Sequence, residues 1–428
     1  MNADIATLLD EGRHRRHPER ERSRPVARGD RKVNADEMGS GYSHIVIGAG
    51  AIGSATAYAL ADAGADRVLV IEQFDLIHGF GSSGDHSRII RHAYQSTDYT
   101  GLTPAMFRAW ETIENRSGCK LYTRTGGLDL AQTGTPGEDV LYSYKAALDA
   151  RSHPYENLTV DEIRARYPQW RLDDDVVGIF QQDGGLLDIR RAVSTMTSLA
   201  LSAGVTFLPR TTVTGIDVRD RGVSVSTSAG AFDADNLVVA VGSWIQDLTA
   251  DLGLDLPITL SQEQVTYVAT PQLNAFRPED FPVWLYHGEA YGDFYGFPVY
   301  GEAAIKIGRD MRAHFIERDQ RRFDPDAEEA AYLVEFLRRH LPDGVGPVLM
   351  SRTCVYDLTP DRDFILDTLP GSPHVAVFVG AGHAGKFAAL VGSILADLVT
   401  AGATEHEISP FQITRAALTD RGFHPVWA

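Results

Sequence analysis

The sequence predicts an α/β fold with two domains, one organised around a parallel sheet and one built on a mostly antiparallel sheet. Residues 44–72 follow the order strand, glycine loop, helix and strand. A buried strand with a second glycine loop and helix recurs at residues 375–399, whereas residues 257–356 have the composition of successive strands. The chain of 428 residues is longer than a single hydrophobic core usually supports, so two domains are expected.

The first glycine loop has the spacing of a nucleotide-binding turn. Residues 45–47 form a continuous apolar run, which suits a parallel strand that is buried on both faces. Gly48 allows a tight turn, and Gly50 lets the backbone approach a pyrophosphate. Gly53 lets the helix that begins near Ser54 pack closely on the strand, with its first N–H groups facing the phosphates.

An acidic residue completes this unit. Gly64 ends the helix, and a second apolar run over residues 68–71 leads to Glu72, nineteen positions after Gly53. A carboxylate at this point can accept hydrogen bonds from ribose hydroxyls. An ordinary tight turn is the alternative, but it would not require the second strand and its terminal acid. The segment therefore predicts an adenine dinucleotide site, without distinguishing FAD from NAD.

Composition narrows the class of partner. The apolar and charged fractions, 43% and 23%, are ordinary for a soluble globular protein. A formal net charge of −18 argues against a nucleic-acid partner, because phosphate contacts need a concentrated basic face. Cys119 and Cys354 lie far apart, so we expect neither a disulfide framework nor a metal site, and a reducing cytoplasm is the expected compartment.

The two ends of the chain are expected to lie outside the domains. Residues 1–40 mix many arginines with many acids and lack apolar periodicity, which predicts a disordered extension. Residues 421–428 are expected to form a C-terminal tail. The longest apolar helix candidate, residues 387–399, is shorter than a bilayer span and contains Asp397, so no membrane partner is expected.

Residues 79–94, GFGSSGDHSRIIRHAY, are rich in glycine and small hydroxyl side chains and then carry Arg88 and Arg91. Such a loop can wrap closely around a flat ring. The alternative is a solvated turn whose arginines form surface ion pairs. Composition alone favours this alternative, because such pairs are common surface features.

Helical periodicity next predicts a helix at residues 103–114, and strands over residues 121–130 begin a region of different character. Residues 183–188 are expected to form a turn that leads into a helix at residues 190–203. Four strands are then expected, as a small antiparallel meander that returns to a buried strand, at residues 205–208, 211–218, 223–227 and 237–241. Gly242 follows the last strand and permits close approach to a ligand.

The strand-rich region has one predicted helix, at residues 327–340, and a lone lysine, Lys306. The flanking isoleucines lie on the opposite face of the strand, so Lys306 faces either solvent, which is the default, or a cavity. Aromatic side chains crowd the same region, and they could equally line a pocket or form a plain core. These aromatic residues are Tyr267, Trp284, Tyr286, Tyr291, Phe294, Tyr295, Phe297 and Tyr300.

The final segment repeats the glycine spacing. A buried strand at residues 375–379 precedes GAGHAG, and a helix begins near Lys386. No second strand follows this helix, so we do not expect a second dinucleotide site. The helix N-terminus is instead expected to face a ring that gains negative charge, and a reduced flavin is such a ring.

These segments together resemble monomeric sarcosine oxidase and N-methyltryptophan oxidase, flavoenzymes of the D-amino-acid-oxidase-like class. The matching motifs occur in the family's order: GAGAIG, SRIIRHAY, YGFP, IKIG, RTCVYDLTPDRDFILD and GAGHAGKF. The resemblance implies FAD and a Rossmann-type FAD-binding domain with a discontinuous chain, over residues 41–120, 184–256 and 357–420. It also implies a substrate domain over the flavin, formed by residues 121–183 and 257–356.

The resemblance also implies roles for individual residues. Cys354 matches the cysteine that family members join to the flavin 8α-methyl group, where a buried inert thiol would otherwise be expected. Arg91 and Lys386 match the pair that holds the substrate carboxylate, and Lys306 matches a lysine implicated in oxygen activation. The other active-site positions are Arg88, Tyr295, Tyr356 and His383. The cofactor-binding residues implied are Gly48, Gly50, Ile52, Gly53, Glu72, Ser82, Ser87, Arg88, Val213, Gly242, Cys354, Gly382 and Lys386.

One position departs from the family. A histidine usually follows the lysine that matches Lys306 by four positions, and here that residue is Asp310. Exchanging a titratable imidazole for a carboxylate changes the charge beside the pocket and leaves the substrate side chain open.

The expected activity is that of an FAD-dependent amine oxidase. A secondary, N-methyl amino acid such as sarcosine would be oxidised to an imine that hydrolyses, while oxygen is reduced to hydrogen peroxide. The expected partners are this amino acid and O2, and the sequence leaves the oligomeric state open, with a monomer as one option. The alternatives are a dehydrogenase of the same fold with another electron acceptor, an NAD-dependent dehydrogenase, and a flavin-binding protein without turnover.

Overall fold

Two large sheets and one small sheet organise the computed structural model, which describes residues 41–288 and 293–426. The predicted extension at residues 1–40, Tyr291 and the last two residues of the predicted tail lie outside these described residues. The strands are β1 (Tyr42–Ile47), β2 (Val68–Ile71), β3 (Ser87–Ile90), β4 (Tyr122–Arg124), β5 (Gly127–Gln132), β6 (Glu156–Thr159), β7 (Val176–Gln181), β8 (Gly185–Asp188), β9 (Thr206–Leu208), β10 (Val213–Val218), β11 (Val223–Thr227), β12 (Gly230–Val239), β13 (Thr259–Ala269), β14 (Val283–His287), β15 (Asp293–Phe297), β16 (Ala304–Asp310), β17 (Phe315–Ile316), β18 (Val348–Leu358), β19 (Ile365–Leu369) and β20 (Ser372–Val379). The α-helices are α1 (Ala51–Asp62), α2 (Thr97–Ser117), α3 (Pro136–Ala150), α4 (Val160–Arg166), α5 (Ile189–Ser202), α6 (Ala327–His340), α7 (Ala388–Ala401) and α8 (Ala416–Thr419).

The first large sheet contains the predicted nucleotide-binding unit. Its strand order is β10-β11-β12-β1-β2-β9, with β20 beside β12 and β19 antiparallel to β20. The central pairs are parallel: β1 pairs with β12 and β2, and β12 also pairs with β20. Helices α1, α5 and α7 pack together beside this sheet. A Cβ atom at Gly392 in α7 would lie 2.5 Å from the backbone of Ala55 in α1, so this glycine permits the close contact of the two helices.

The second large sheet has nine strands in the order β17-β13-β16-β15-β14-β5-β7-β6, with β18 paired to β13. Its pairs are antiparallel except for β14 with β5. Helix α6 covers one face, where Phe336 stacks on Trp284 and Phe294. The predicted combination of a parallel sheet and a mostly antiparallel sheet is therefore confirmed.

The aromatic residues in the described part of the second sheet were expected either to line a pocket or to form a core. Trp284, Tyr286 and Phe294 belong to a buried hydrophobic cluster. Tyr295 and Phe297, on the other face of β15, line the large cavity described below. The region is therefore partly core and partly pocket lining, because side chains alternate between the faces of a strand.

Several local predictions were wrong. Residues 183–188, expected to form a turn, contain β8, which pairs with β3 and β4 in a three-stranded sheet. Gly184 and Gly185, which suggested a turn, instead allow close strand contact at the start of β8, since a Cβ atom at Gly185 would lie 2.2 Å from the carbonyl oxygen of Thr123. Strand β9 pairs in parallel with β2 and so does not belong to the meander, which consists of β10, β11 and β12. Helices α3 and α4 were not predicted, and α2 extends well beyond residues 103–114.

The segment Ala384–Ala401 is long and apolar enough to cross a membrane by length and composition, and 61% of it is buried within the protein. Its α-helical part, α7, packs against α1 and β20 as a core helix does. Residues from Gly41 onward form one compact unit, and the domain boundaries within it remain a prediction.

Candidate active site

A cavity of about 780 Å³ runs from the first glycine loop to the second. It opens at the carboxyl ends of β1 and β2, where ligands bind in open α/β sheets. All the predicted site residues line it except Gly53. A Cβ atom at Gly53 would lie 1.8 Å from the carbonyl oxygen of Gly48, so this residue serves helix packing, as its predicted role requires.

The first end of the cavity holds the N-terminus of α1, whose N-cap residue has no side chain that could cap it. Gly50 is the N-cap residue of α1 and supplies no side-chain hydrogen bond, and the first turn contains no acidic residue. The backbone N–H of Ala51 donates to the hydroxyl of Ser83 at 3.0 Å. An N-terminus of this kind, facing a cavity, is suited to an anion such as a pyrophosphate.

Glu72 lies beside this N-terminus and is buried. Its carboxylate accepts hydrogen bonds from the backbone N–H groups of Ala49 at 2.8 Å and Phe74 at 2.9 Å. Burial raises the pKa of Glu72, but the contact with His78 and these two hydrogen bonds lower it below its ordinary value overall. The ionised carboxylate thus fixes the glycine loop, and its remaining lone pairs leave it able to accept from a ribose.

Lys306 is buried, with 3% of its surface exposed, so the default expectation of a solvated lysine was wrong. Its ammonium donates to Asp85 Oδ2 at 2.6 Å, and to the carbonyl and hydroxyl of Ser87 at 2.9 Å each. It also lies 4.0 Å from the centre of the Phe297 ring. Burial lowers the pKa of Lys306 to about 8, against the opposing effect of Asp85.

Asp85 was not predicted as a site residue. Besides Lys306, its carboxylate accepts from the hydroxyl of Tyr267 at 2.6 Å and from Arg88 at 3.3 Å. Burial raises the pKa of Asp85, but Lys306 and Arg88 together lower it far below its ordinary value. Two cations share this one carboxylate, so this wall of the cavity keeps a net positive charge.

The arginines of the SRIIR segment do not form surface ion pairs. Arg91 is 8% exposed, and its guanidinium donates to the buried carboxylate of Asp129 and, at 3.0 Å, to the hydroxyl of Tyr144. Arg88 donates to the carbonyl groups of Ser82 and Ser87. The preference that composition gave to a solvated turn was therefore wrong, because Asp129 and Tyr144, distant in sequence, bury the guanidinium of Arg91, and the loop itself binds that of Arg88.

Lys386 and Arg91 lie against the same aromatic ring. The Lys386 ammonium is 5.6 Å and the Arg91 guanidinium 5.7 Å from the centre of the Tyr94 ring. The indole of Trp110 donates to the carbonyl of Lys386 at 2.6 Å and fixes its backbone. Among the described residues no carboxylate lies within ion-pair distance of the Lys386 ammonium, and burial together with Arg91 lowers its pKa to about 7.

Asp310, which replaces the family's histidine, is paired with Arg362. The guanidinium donates to both carboxylate oxygens, at 3.0 and 3.3 Å, and both side chains line the cavity. Burial raises the pKa of Asp310, but Arg362 lowers it below its ordinary value. The carboxylate that departs from the family pattern is therefore ionised and balanced by an adjacent cation.

The second glycine loop is occupied by an internal carboxylate. The backbone N–H groups of Gly380 and Gly382 both donate to Asp357 at 3.2 Å. These two donors bind a carboxylate of the chain itself, which favours the prediction that the repeated glycine spacing is not a second dinucleotide site. His383 follows, and its Nε2 contacts the carbonyl of Arg362 at 2.9 Å, while burial lowers its pKa to about 3 and keeps the imidazole neutral.

Comparisons with known proteins show which family the chain is similar to. The family model described as FAD dependent oxidoreductase matches residues 43–398. Monomeric sarcosine oxidase from Bacillus sp. (strain NS-129) is 31% identical over 385 residues, 89% of this chain and 98% of that enzyme. N-methyl-L-tryptophan oxidase from Citrobacter koseri is 31% identical over 382 residues, 87% of this chain and 99% of that enzyme.

The chain belongs to the FAD-dependent oxidoreductase family. A solved structure of NikD, an unusual amino acid oxidase essential for nikkomycin biosynthesis, has a TM-score of 0.77 and 28% identity, and the match covers 87% of this chain and 97% of that one. The resemblance and the fold predicted from the sequence are confirmed.

The residues of this FAD-dependent oxidoreductase fit its cofactor. The N-terminus of α1 suits the pyrophosphate, the Glu72 carboxylate could accept from the ribose, and the cavity continues to the cationic wall of Lys306 and Arg88. Cys354 also lines the cavity and is a free thiol. Burial raises its pKa to about 12, although the adjacent Arg88 acts in the opposite direction.

The structure adds site residues that the sequence patterns did not indicate. Asp85 could have been found in the polar SSGDHSR loop, because a lone acidic residue close to Arg88 and Arg91 is expected to pair with a cation. For Asp129, the signal was a charged residue inside an otherwise apolar strand segment, GLDLA. Arg362 and His287 had no comparable local signal. The additional residues are Asp85, Asp129, Tyr144, Tyr267, His287, Asp293 and Arg362.

Proposed function

We propose that this oxidoreductase oxidises a secondary, N-methyl amino acid such as sarcosine to an imine and passes the electrons to oxygen. The observation that carries the proposal is the ammonium of Lys386, which lines the cavity next to Arg91 without a carboxylate partner among the described residues. A cation in this position needs an anion, and an amino acid supplies a carboxylate. The names of the relatives from Bacillus and Citrobacter describe oxidases of N-methyl amino acids, which support this choice.

FAD would be held by the residues at the first end of the cavity. The N–H groups at the start of α1 would bind the pyrophosphate, and Glu72 would accept from the ribose. When bound, FAD supplies a two-electron acceptor at the cationic end of the cavity. We also propose that Cys354 attaches it covalently, because this thiol lines the cavity beside Arg88.

Binding of the substrate carboxylate by Lys386 and Arg91 would orient the α-amino group. The guanidinium has N–H donors beyond those used for Asp129 and Tyr144, so it can still receive an anion. Oxidation removes a hydride equivalent from carbon and a proton from nitrogen, which leaves a carbon–nitrogen double bond. Water then hydrolyses the imine. Because two fixed cations hold the carboxylate, the oxidation takes place within a bound complex, with the amino acid in a defined orientation.

Lys306 would assist the reduction of oxygen. Two electrons and two protons convert O2 to hydrogen peroxide, and the first electron creates superoxide. A fixed cation in a water-poor cavity stabilises that developing anion. The ammonium of Lys306 is fixed by Asp85 and Ser87, and Arg88 shares the charge of Asp85, so positive charge remains available.

Anaerobic addition of amino acids to the purified yellow protein tests the proposal. Sarcosine and other N-methyl amino acids should bleach the flavin, whereas the corresponding amines without a carboxylate should do so poorly. Bleaching that oxygen does not reverse would indicate a dehydrogenase with another acceptor. A yellow protein that no amine bleaches would indicate a flavin-binding protein without turnover, and a colourless protein would favour a nicotinamide cofactor.

A further inference from the structure

A row of alternating charges lies behind Arg91. The guanidinium of Arg91 donates to Asp129 Oδ1, and Nε2 of His287 lies 3.7 Å from the same oxygen. On its other side, Nδ1 of His287 is 2.6 Å from Asp293 Oδ2. Arg91 and Asp293 line the cavity, whereas Asp129 and His287 are 0% exposed. The row therefore joins two points of the cavity wall through the protein interior.

The second large sheet brings these residues together. Strands β5 and β14 pair in parallel with Leu285 opposite Asp129, so His287, two residues further, lies on the same face as Leu285. Asp293 begins the next strand, β15, and Tyr144 in α3 packs edge-on against the imidazole at 5.4 Å. The pairing of β5 with β14 therefore places Asp129 and His287 on one face of the sheet.

The charges of the four residues in this row balance one another. Among the described residues, Asp129 Oδ2 and His287 Nε2 have no hydrogen-bond partner. A buried carboxylate in this condition is costly unless a nearby cation compensates it. Burial lowers the pKa of His287, but Asp129 and Asp293 raise it to about 9, so the imidazole is protonated at neutral pH. The row then holds two cations and two anions.

The protonated imidazole changes what Arg91 can offer to a ligand. If Asp129 faced Arg91 alone, the carboxylate would neutralise the guanidinium and weaken its attraction for an anion in the cavity. Because His287 also faces Asp129 Oδ1, the negative charge of Asp129 is shared between two cations. The groups that face His287 are Asp129, Asp293, Tyr144 and, beyond Asp129, Arg91.

We propose that Asp129 and His287 are positioning residues for carboxylate recognition. Asp129 fixes the guanidinium of Arg91, and His287, held by Asp293, shares the charge of Asp129 so that Arg91 keeps a positive charge toward the cavity. This inference rests on the proposed function, because it concerns the carboxylate group of the substrate class named there.

The test uses the flavin-loaded protein and two matched ligands. Methoxyacetate has the shape and carboxylate of an N-methyl amino acid without its oxidisable amine, and methoxyacetamide lacks the charge. Binding is measured by the change in flavin absorbance and by calorimetry. His287→Gln should raise the Kd for methoxyacetate about tenfold, the effect of one weakened charge-assisted contact, and should leave the Kd for methoxyacetamide within about twofold. His340→Gln, at a buried histidine in α6 that does not line the cavity, should change neither.

A double-mutant cycle separates positioning from general structural damage. In an Arg91→Met background, His287→Gln should cause no further loss of methoxyacetate binding, because the group that it positions is gone. In an Asp129→Asn background too, His287→Gln should cause no further loss of methoxyacetate binding, because the carboxylate whose charge it shares is gone. Equal weakening of both ligands, a loss that persists in Arg91→Met, or absence of methoxyacetate binding to the wild type would each overturn the inference. If these binding results hold but no amino acid bleaches the flavin, the proposed function fails and the inference stands.

Discussion

The ammonium of Lys306 and the carboxylate of Asp85 form a buried ion pair at 2.6 Å that joins the two parts of the cavity wall. Asp85 lies in the loop after β2, in the nucleotide-binding part of the chain, whereas Lys306 lies in β16 of the second large sheet. The contact therefore fixes the oxygen-activating lysine of our proposal relative to the segment that would wrap the flavin. A substitution of either residue therefore removes an oppositely charged partner of the other.

Lys306→Met should slow the reoxidation of reduced flavin by oxygen far more than it slows anaerobic reduction by substrate. Reoxidation creates superoxide, the anion that this fixed cation would stabilise, whereas the negative charge that the ring gains on reduction is expected to face the helix N-terminus near Lys386. Stopped-flow measurement of the two half-reactions checks this. An unchanged reoxidation rate would remove the lysine from the mechanism.

The same substitution should lower the free energy of unfolding by roughly 1 to 3 kcal/mol, because it leaves the Asp85 carboxylate with fewer partners. Adding Asp85→Asn provides the matched control. The double variant should recover part of the stability in thermal denaturation but not the reoxidation rate. If the double variant also reoxidises normally, the kinetic defect of Lys306→Met came from the stranded carboxylate.

Much of the nucleotide-binding unit could be predicted because its signals are local. The strand over residues 68–71, the glycine spacing and Glu72 all have the expected places, and α6 coincides with residues 327–340. In each case the spacing of apolar residues, or a backbone conformation that needs glycine, determines the local structure independently of the rest of the chain. The prediction of a turn at β8 was wrong because β3 and β4, which are distant in sequence, pair with this segment and override the turn preference of its glycines.

Single site residues could be predicted from the sequence, but the partners with which they form ion pairs could not. Lys386 and Cys354 line the cavity as the resemblance implied, but the partner of Arg91 lies in β5 and the partner of Asp310 follows β18. Such pairs depend on strand register and on chain segments far apart in sequence. No local periodicity contains that information, so the charge balance of the site emerged only from the fold.

Flavin attachment depends on Cys354 in our proposal. Acid precipitation of the purified protein should leave the yellow colour in the pellet, and Cys354→Ser should release it to the supernatant. Cys119→Ser is the matched control and should keep the colour in the pellet, because Cys119 does not line the cavity. Covalent flavin in Cys354→Ser would contradict the assignment.

The affinity for a carboxylate ligand should fall as the pH rises. The pKa of Lys386 without ligand is lowered to about 7 by burial and by Arg91, so the ammonium loses its proton above that pH. A bound carboxylate favours the protonated form. The Kd of methoxyacetate should therefore be constant below about pH 7 and should rise up to tenfold per pH unit above it.

The pH titration has a direct control. Lys386→Met should bind methoxyacetate more weakly, by roughly ten- to a hundredfold, and its Kd should no longer change between pH 6 and about pH 8. A wild-type Kd that does not depend on pH across this range would show that Lys386 does not bind the carboxylate.

Asp310 and Arg362 should behave as a coupled pair. Asp310→Asn leaves the guanidinium without its carboxylate, and Arg362→Gln does the reverse, so each should cost on the order of 1 to 3 kcal/mol of folding free energy. The double variant should lose less than the sum of the two single losses, because neither charge is then stranded. Chemical denaturation of the three variants measures the difference, and simple additivity would show that the two side chains do not interact.

The central claim is that this oxidoreductase couples the oxidation of an N-methyl amino acid to the reduction of oxygen. The most direct measurement follows oxygen consumption, hydrogen peroxide and the loss of sarcosine, with other N-methyl amino acids in parallel, during turnover of the purified yellow protein. We predict one O2 consumed and one H2O2 formed for each molecule of amino acid oxidised. Oxidation of the amino acid without oxygen consumption, or no oxidation of any N-methyl amino acid, would contradict the account.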